Sequence, residues 1–157
     1  MLEVTHEAVF SMVHSSRDFF LHTVDYAQVE DFYVKFNSRY SAELKIPPLA
    51  ERLKTTNVAV KQLVCVRSNT EQCFYRGQIL KANEDGSFLV RCIDFGDFLT
   101  VQPDVIFTLH EEFCSQPAMA VHCYIDGKSW FSIFYVTHTF SFHSQESGIN
   151  VTPCLTR

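Results

Sequence analysis

The chain has 157 residues, 46% of them hydrophobic and 14% aromatic, including 15 Phe. That length suits one compact domain with little left for a second core, and the apolar and aromatic content argues for a folded, β-leaning globule rather than a disordered chain. A formal net charge of −5 argues against general nucleic-acid binding, which needs a basic surface, and suits a cationic partner such as an arginine-rich peptide.

Val9 to Val24, VFSMVHSSRDFFLHTV, reads as two short strands about the turn residues Ser15-Ser16-Arg17-Asp18. From Asp25 the period changes. Val29, Phe32, Tyr33, Phe36 and Tyr40 line one face of a helix over Tyr26 to Ser41, and Asp25 followed by Gln28 resembles a capping box. Ile46-Pro47-Pro48 closes this unit, and Leu49 to Thr56 reads as a polar connector with room for a short turn. From Ala59 four strands are predicted within VKQLVCVRS, CFYRGQILKA, SFLVRCIDF and DFLTVQ. Asn83-Glu84-Asp85-Gly86 makes a tight hairpin between the second and third, and Gly96 makes the next bend. Short strands with such turns predict a small, strongly bent barrel.

Pro103 to Phe113 is then part loop and part short helix, and Ala118 to Ile125 is another strand. The last thirty or so residues alternate apolar with Ser, Thr and His like an edge strand, then lapse into a polar tail. The fold class is mainly β with one main helix. The six cysteines, at 65, 73, 92, 114, 123 and 154, form no CxxC pair and lie mostly in apolar runs, where a thiol acts as a small hydrophobe. Met1 to Phe10 lacks a secretory pattern, so reduced thiols and a cytosolic or nuclear setting are expected, with the Asn150-Val151-Thr152 sequon unmodified. No run approaches the length of a membrane span.

Phe74-Tyr75-Arg76, a turn, and Ile93-Asp94-Phe95-Gly96-Asp97 resemble the Tudor core, whose pattern is roughly W-Y-R-A, a turn, then F-Y-I-D-Y-G-N. Leu109, Phe113, Pro117, Ala120 and Cys123 match the spacing that follows the core in extended Tudor domains. The upstream strand pair and helix are similar to the staphylococcal-nuclease-like half that wraps the barrel in those domains. The resemblance covers about residues 4–127. It implies a Tudor-type bent β-barrel beside an incomplete nuclease-like (OB-like) subdomain. Residues 1–58 would be the first part of that half, 59–108 the barrel core, 109–127 a return segment and 128–157 an atypical tail.

The resemblance also implies a non-enzymatic adaptor, without cofactor or metal, that binds methylated arginine in the tails of PIWI-class proteins. The implied setting is cytoplasmic, in perinuclear germ granules of the piRNA pathway that silences transposons during spermatogenesis. Dimethylarginine keeps its charge but loses hydrogen-bond donors, so ring faces and one acceptor hold it best. Carried over by position, one ring falls on Tyr75 and one on Phe95. A third ring position falls on Cys92, the aromatic before W-Y-R falls on Asn69, and the Asn that accepts from the guanidinium falls on Asp97. Two rings of four remain, and the polar residue has gained a charge. A carboxylate at 97 favours a guanidinium in any methylation state, because a charge-assisted bond can be bidentate to unmodified Arg. The expected ligand is thus an Arg-bearing tail read with little preference for methylation, unless partners dock through another face. Phe98 is a further candidate ring. Asp94 is expected to cap its turn by bonding nearby amides, and Arg76 to pair with a carboxylate or cover the barrel surface.

Other chemistry has less support in the residues. Nuclease activity needs clustered carboxylates for a metal, and the first strands offer Asp18 and Arg17 only. A zinc set from His110, Cys114, His122 and Cys123 fails on spacing, since His122 and Cys123 point oppositely in a strand. RNA contact is the alternative to peptide binding: Lys45, Arg52, Lys54, Lys61 and Arg67 form a loose basic stretch, against an acidic whole.

Overall fold

The computed structural model describes residues 7–15, 17–125, 140–141 and 149–152. In chain order it forms β1 (Glu7–Ser15), β2 (Asp18–His22), α1 (Tyr26–Glu43), α2 (Pro47–Leu53), β3 (Leu63–Arg67), β4 (Phe74–Ala82), β5 (Phe88–Cys92) and β6 (Phe98–Val101). A 3-10 turn at Pro103–Val105 leads to β7 (Ile106–Thr108), α3 (Glu111–Cys114), β8 (Ala120–Ile125), β9 (Phe140–Ser141) and β10 (Ile149–Thr152). The strands make two five-stranded sheets, ordered β10-β8-β2-β1-β9 and β6-β5-β4-β3-β7. No helix among the described residues is long and apolar enough to cross a membrane.

The second sheet is buried on both faces, and its sequence alternation shows how. Val64, Val66, Ile79, Val90, Val101, Val105 and Ile106 point to one side and form one core, with Tyr75 packed at its edge. Cys65, Phe74 and Phe107 point to the other side and meet Phe36 and Tyr40 of α1, Leu53 of α2, and Phe113. Laid flat, five strands would hold β6 and β7 about 19 Å apart, four spacings of about 4.8 Å. The link from Val101 to Ile106 runs through the 3-10 turn and spans roughly 13 Å. The sheet therefore curls toward a barrel, open between β6 and β7, which share no ladder among the described residues. A register shift between Ile79 and Lys81 adds local twist.

Helix α1 starts where expected: the Asp25 carboxylate accepts from the Ala27 amide at 3.2 Å. Its stripe buries Val29, Phe36 and Tyr40. Truncating a ring such as that of Phe36 typically costs about 3–5 kcal/mol.

Strand β2 explains how the two sheets are joined. Phe19, Phe20, Leu21 and His22 are all buried, without alternation. Phe19 and Leu21 pack with Cys123 inside the first sheet's own cluster. Phe20 and His22 face the other way, onto the turn of residues 94–96.

Three local expectations are corrected. Pro47 and Pro48 do end the first helical unit, but they also begin α2, because a missing N–H is harmless in a first turn. The short turn allowed within the connector is thus a seven-residue helix that takes in residues 49–53. The barrel-like sheet gains a fifth strand, β7, too short to stand out by alternation. Within the last thirty or so residues, read as an edge-like strand lapsing into a polar tail, Ile149–Thr152 near the end still pairs with β8. Most of the tail lies outside the described residues.

Candidate functional site

The turn after β5 is built by its own backbone. The Gly96 amide donates to the Cys92 carbonyl at 2.8 Å, and the Cys92 amide donates to the Asp97 carbonyl at 2.8 Å. Gly96 has φ +92°, and a Cβ there would lie 2.2 Å from the Phe20 ring. Both the backbone conformation and the packing therefore require glycine. The first sheet also takes the turn's outward carbonyls. Ser11 Oγ donates to Phe95 O at 2.6 Å, His14 Nε2 to Gly96 O at 3.0 Å, and His22 Nε2 to Asp94 O at 3.1 Å. Burial pushes the His22 imidazole below its usual pKa, which suits a neutral ring donating from Nε2.

Asp94 does not cap this turn as expected; the nearby amides of Phe95 and Gly96 already bond Cys92 O. Its carboxylate instead accepts from Arg76 Nε at 2.8 Å and Nη2 at 2.6 Å, from the Met119 amide at 3.0 Å, and from the Tyr33 hydroxyl at 2.6 Å. Arg76 completes its donors on the carbonyls of Phe113, Gln116 and Pro117 at 2.6–2.9 Å. Its guanidinium also lies 4.7 Å from the Phe32 ring centroid. Arg76 thus pairs with a carboxylate, one of the two roles expected of it.

This network holds Tyr33 in place, and Tyr33 completes a ring cluster. Tyr75 and Phe95 lie with centroids 5.7 Å apart, edge to face at 88°. Tyr33 touches both, at 5.8 Å and 4.9 Å respectively. Tyr75 and Phe95 are half-buried. A guanidinium sandwiched between two faces needs about 7 Å, twice a van der Waals contact. The rings as they stand offer a wall on which a cation can lie, and a sandwich only if Tyr75 swings away.

Glu71 borders this wall through Tyr75, and Asp97 lies within electrostatic reach of Glu71. Asp97 is half-buried, and burial raises its pKa; the nearby His14 pulls it down and the Glu71 charge pushes it up. Glu71, at the end of the β3–β4 hairpin, accepts a hydrogen bond from the Tyr75 hydroxyl. Burial, reinforced by that bond, holds the Tyr75 phenol well above its ordinary range. The Glu71 amide bonds Ser68 Oγ at 3.3 Å, which fixes the hairpin.

The remaining carried-over residues divide. Cys92 is buried in β5 opposite Gly77, near enough to Tyr75 to interact with it electrostatically, with its thiol pushed up to about 12 by burial and then by Asp97, Asp94 and Glu71. Asn69 is exposed at the hairpin tip, where its carbonyl accepts from Gln72 Nε2 at 2.9 Å. Phe98 is exposed and its ring lies 5.1 Å from His14. The residues considered for zinc are separated: His110 bonds Glu43 at 2.9 Å, whereas His122 bonds Asp18 at 2.7 Å.

Sequence reasoning missed Tyr33 and Glu71. Tyr33 lies on the apolar stripe of α1 and read as core; its hydroxyl donates to Asp94 at 2.6 Å and accepts from the Arg76 amide at 3.4 Å, bonds that the sequence does not show. Glu71 lies four residues before Tyr75, in a hairpin whose shape was not legible.

A family model of the Tudor domain matches residues 2–127. Among solved structures, the extended Tudor domain of Drosophila melanogaster Papi, in complex with a methylated-arginine Piwi N-terminal peptide, gives a TM-score of 0.68 at 20% identity. That match covers 78% of this chain and 60% of that one. The same domain with the unmethylated peptide matches at 0.68 and 20%, covering 78% and 59%. Tudor in complex with methylated Aubergine matches with a TM-score of 0.60 at 22% identity, covering 78% of this chain and 69% of that one. The chain spans less than two thirds of the Papi domain's length. The family model covers most of the chain, and the two-sheet architecture is that of extended Tudor domains: the chain belongs to the Tudor domain family.

Proposed function

We propose that this chain is a non-enzymatic adaptor that holds an arginine side chain from a partner's tail against Tyr75 and Phe95. The observation that carries this reading is the ring pair, centroids 5.7 Å apart, with Glu71 bonded to the Tyr75 hydroxyl and Asp97 near enough to Glu71 for their charges to interact. The rings attract the cation through their quadrupoles, worth about 0.5–2 kcal/mol each. The carboxylates add charge-assisted bonds that an unmodified guanidinium satisfies at least as well as a methylated one. Methylation is therefore read weakly. The partner is the Arg-bearing tail of a PIWI-class protein, in keeping with the Piwi and Aubergine ligands of the structural relatives. Germ-granule localisation and a piRNA role follow from that partner. The division at residues 58, 108 and 127 belongs to the same reading.

Fluorescence anisotropy with matched Arg-Gly and Arg-Ala peptides, unmethylated and symmetrically dimethylated, tests the reading. The expected affinities agree within about threefold across methylation states, and Tyr75→Ala lowers all of them about tenfold, equivalent to 1.4 kcal/mol. A strong preference for the dimethylated form overturns weak reading of methylation. Indifference to Tyr75→Ala overturns the site, and a salt-dependent shift with single-stranded RNA then favours the basic stretch near α2 instead.

A further inference from the structure

The ring cluster has a second side. Tyr33 and Phe95 also line an open groove of about 320 Å³ along α1, completed by Tyr26, Val29, Glu30, Val34 and Asn37. Tyr26 and Val34 are 57% and 66% exposed, although both are large and apolar. The groove's polar groups are largely committed. Asn37 Nδ2 donates to Tyr33 O at 3.0 Å and Phe74 O at 3.2 Å, and its Oδ1 accepts from the Phe74 amide at 2.7 Å. The Tyr33 hydroxyl is held by Asp94. Among the described residues, what the groove presents is apolar surface with one carboxylate, Glu30, and no cationic lining residue.

We infer that this groove takes an apolar side chain of the same tail whose arginine lies on Tyr75 and Phe95, an inference that rests on the reading above. Two observations select that occupant over an unrelated partner. The groove is continuous with the arginine wall, since Phe95 and Tyr33 belong to both. Its charge is also of the same sign as that wall's, so a cationic chain carrying an apolar residue matches both. Two to three residues of extended peptide reach roughly 7–10 Å, enough to pass from one side of the shared rings, Tyr33 and Phe95, whose centroids lie 4.9 Å apart, to the other. The tail is thus read as an arginine with a leucine-like or aromatic residue two or three positions away. Shape in the groove, rather than hydrogen bonding, sets the preference.

The test uses the full chain and peptides with one central arginine in a glycine-rich background, with leucine moved through each flanking position. Leucine two or three residues from the arginine is expected to tighten binding about five- to thirtyfold, the scale of one partly buried leucine. Val34→Gln, a neutral change at an exposed helical position, should remove most of that gain while leaving the all-glycine peptide unchanged; Tyr26→Ala gives an independent reading of the same surface. Thermal melts verify that both variants fold. If arginine binding depends on Tyr75 but no leucine position tightens it, the groove inference is overturned and the arginine site stands. If leucine tightens binding in a Val34-dependent way but Tyr75→Ala changes nothing, the groove stands and the arginine site falls. Loss of neither overturns both.

Discussion

The Arg76 guanidinium and the Asp94 carboxylate meet through two hydrogen bonds, at 2.8 and 2.6 Å, with side chains 1% and 0% exposed. Arg76 comes from the centre of the curled sheet, and Asp94 from the turn that the first sheet grips. Their pair, with Tyr33 and the Met119 amide, fastens the helix and both sheets at one point. Removing one partner leaves the other charge buried, which typically costs about 3–5 kcal/mol. Arg76→Met and Asp94→Asn are therefore each expected to lower unfolding free energy by that order in urea denaturation. The double variant should lose less than the sum, because its second change removes a charge already stranded. Strict additivity would mean that the two act separately.

A second dependence joins Gly96 to Phe20. Alanine at 96 would have to hold φ +92° and accept a ring carbon at 2.2 Å. The left-handed backbone costs about 1–2 kcal/mol and overpacking about 1–3 more. Gly96→Ala is expected to destabilise by several kcal/mol, but by only the backbone share when it is made in a Phe20→Ala background. Denaturation of the two single variants and the double separates these contributions; a Gly96→Ala variant of unchanged stability would contradict the close packing of the sheets.

How much of this could be read from sequence depended on the range of the interaction. The Asp25 cap and the turns at Gly86 and Gly96 depend on neighbours in the chain, and each appeared where expected. Tyr75 and Phe95 were identified by a motif whose parts lie twenty residues apart, and they do touch. Asp94 was assigned the wrong bonds because a carboxylate in a turn ordinarily serves local amides, and nothing in I-D-F-G says those amides are already taken. Tyr33 on the helix stripe met the same limit, its hydroxyl being directed by a residue 61 positions away. Pro47 and Pro48 misled in a simpler way: the same missing N–H that ends one helix is tolerated at the start of another.

Asp97 carries a pH dependence of defined sign. Its folded pKa is raised above the ordinary 3.8, first by burial, with His14 opposing and Glu71 adding. The ionised form is thus disfavoured by folding. That destabilisation is fully present above the raised pKa and absent below 3.8. Asp97→Asn should raise the melting temperature near neutral pH, with the gain vanishing below 3.8. The same substitution should weaken arginine-peptide binding at neutral pH, since the guanidinium loses its counter-charge. Stability and affinity moving in opposite directions distinguishes a binding carboxylate from a structural one; a fall in both would assign Asp97 to the fold.

The cysteines offer a direct test of what lies beside the rings. Cys92 is 2% exposed, and its thiol is pushed up to about 12, so the reactive thiolate is scarce and shielded. Cys114 is exposed; its own thiol is raised by partial burial, but it stays open to reagent. In the native chain, iodoacetamide followed by peptide mapping should label Cys114 well before Cys92, and Cys92 should label fully once urea unfolds the chain. The order matters for the site as well as the core. Rapid native labelling of Cys92 would mean that the strand paired with that of Tyr75 opens to solvent, and the ring pair would then be a mobile surface rather than a wall backed by a closed sheet. Slow labelling locates the flexibility needed to admit a guanidinium in Tyr75 alone, the one ring of the pair tethered at its hydroxyl to an exposed residue, Glu71.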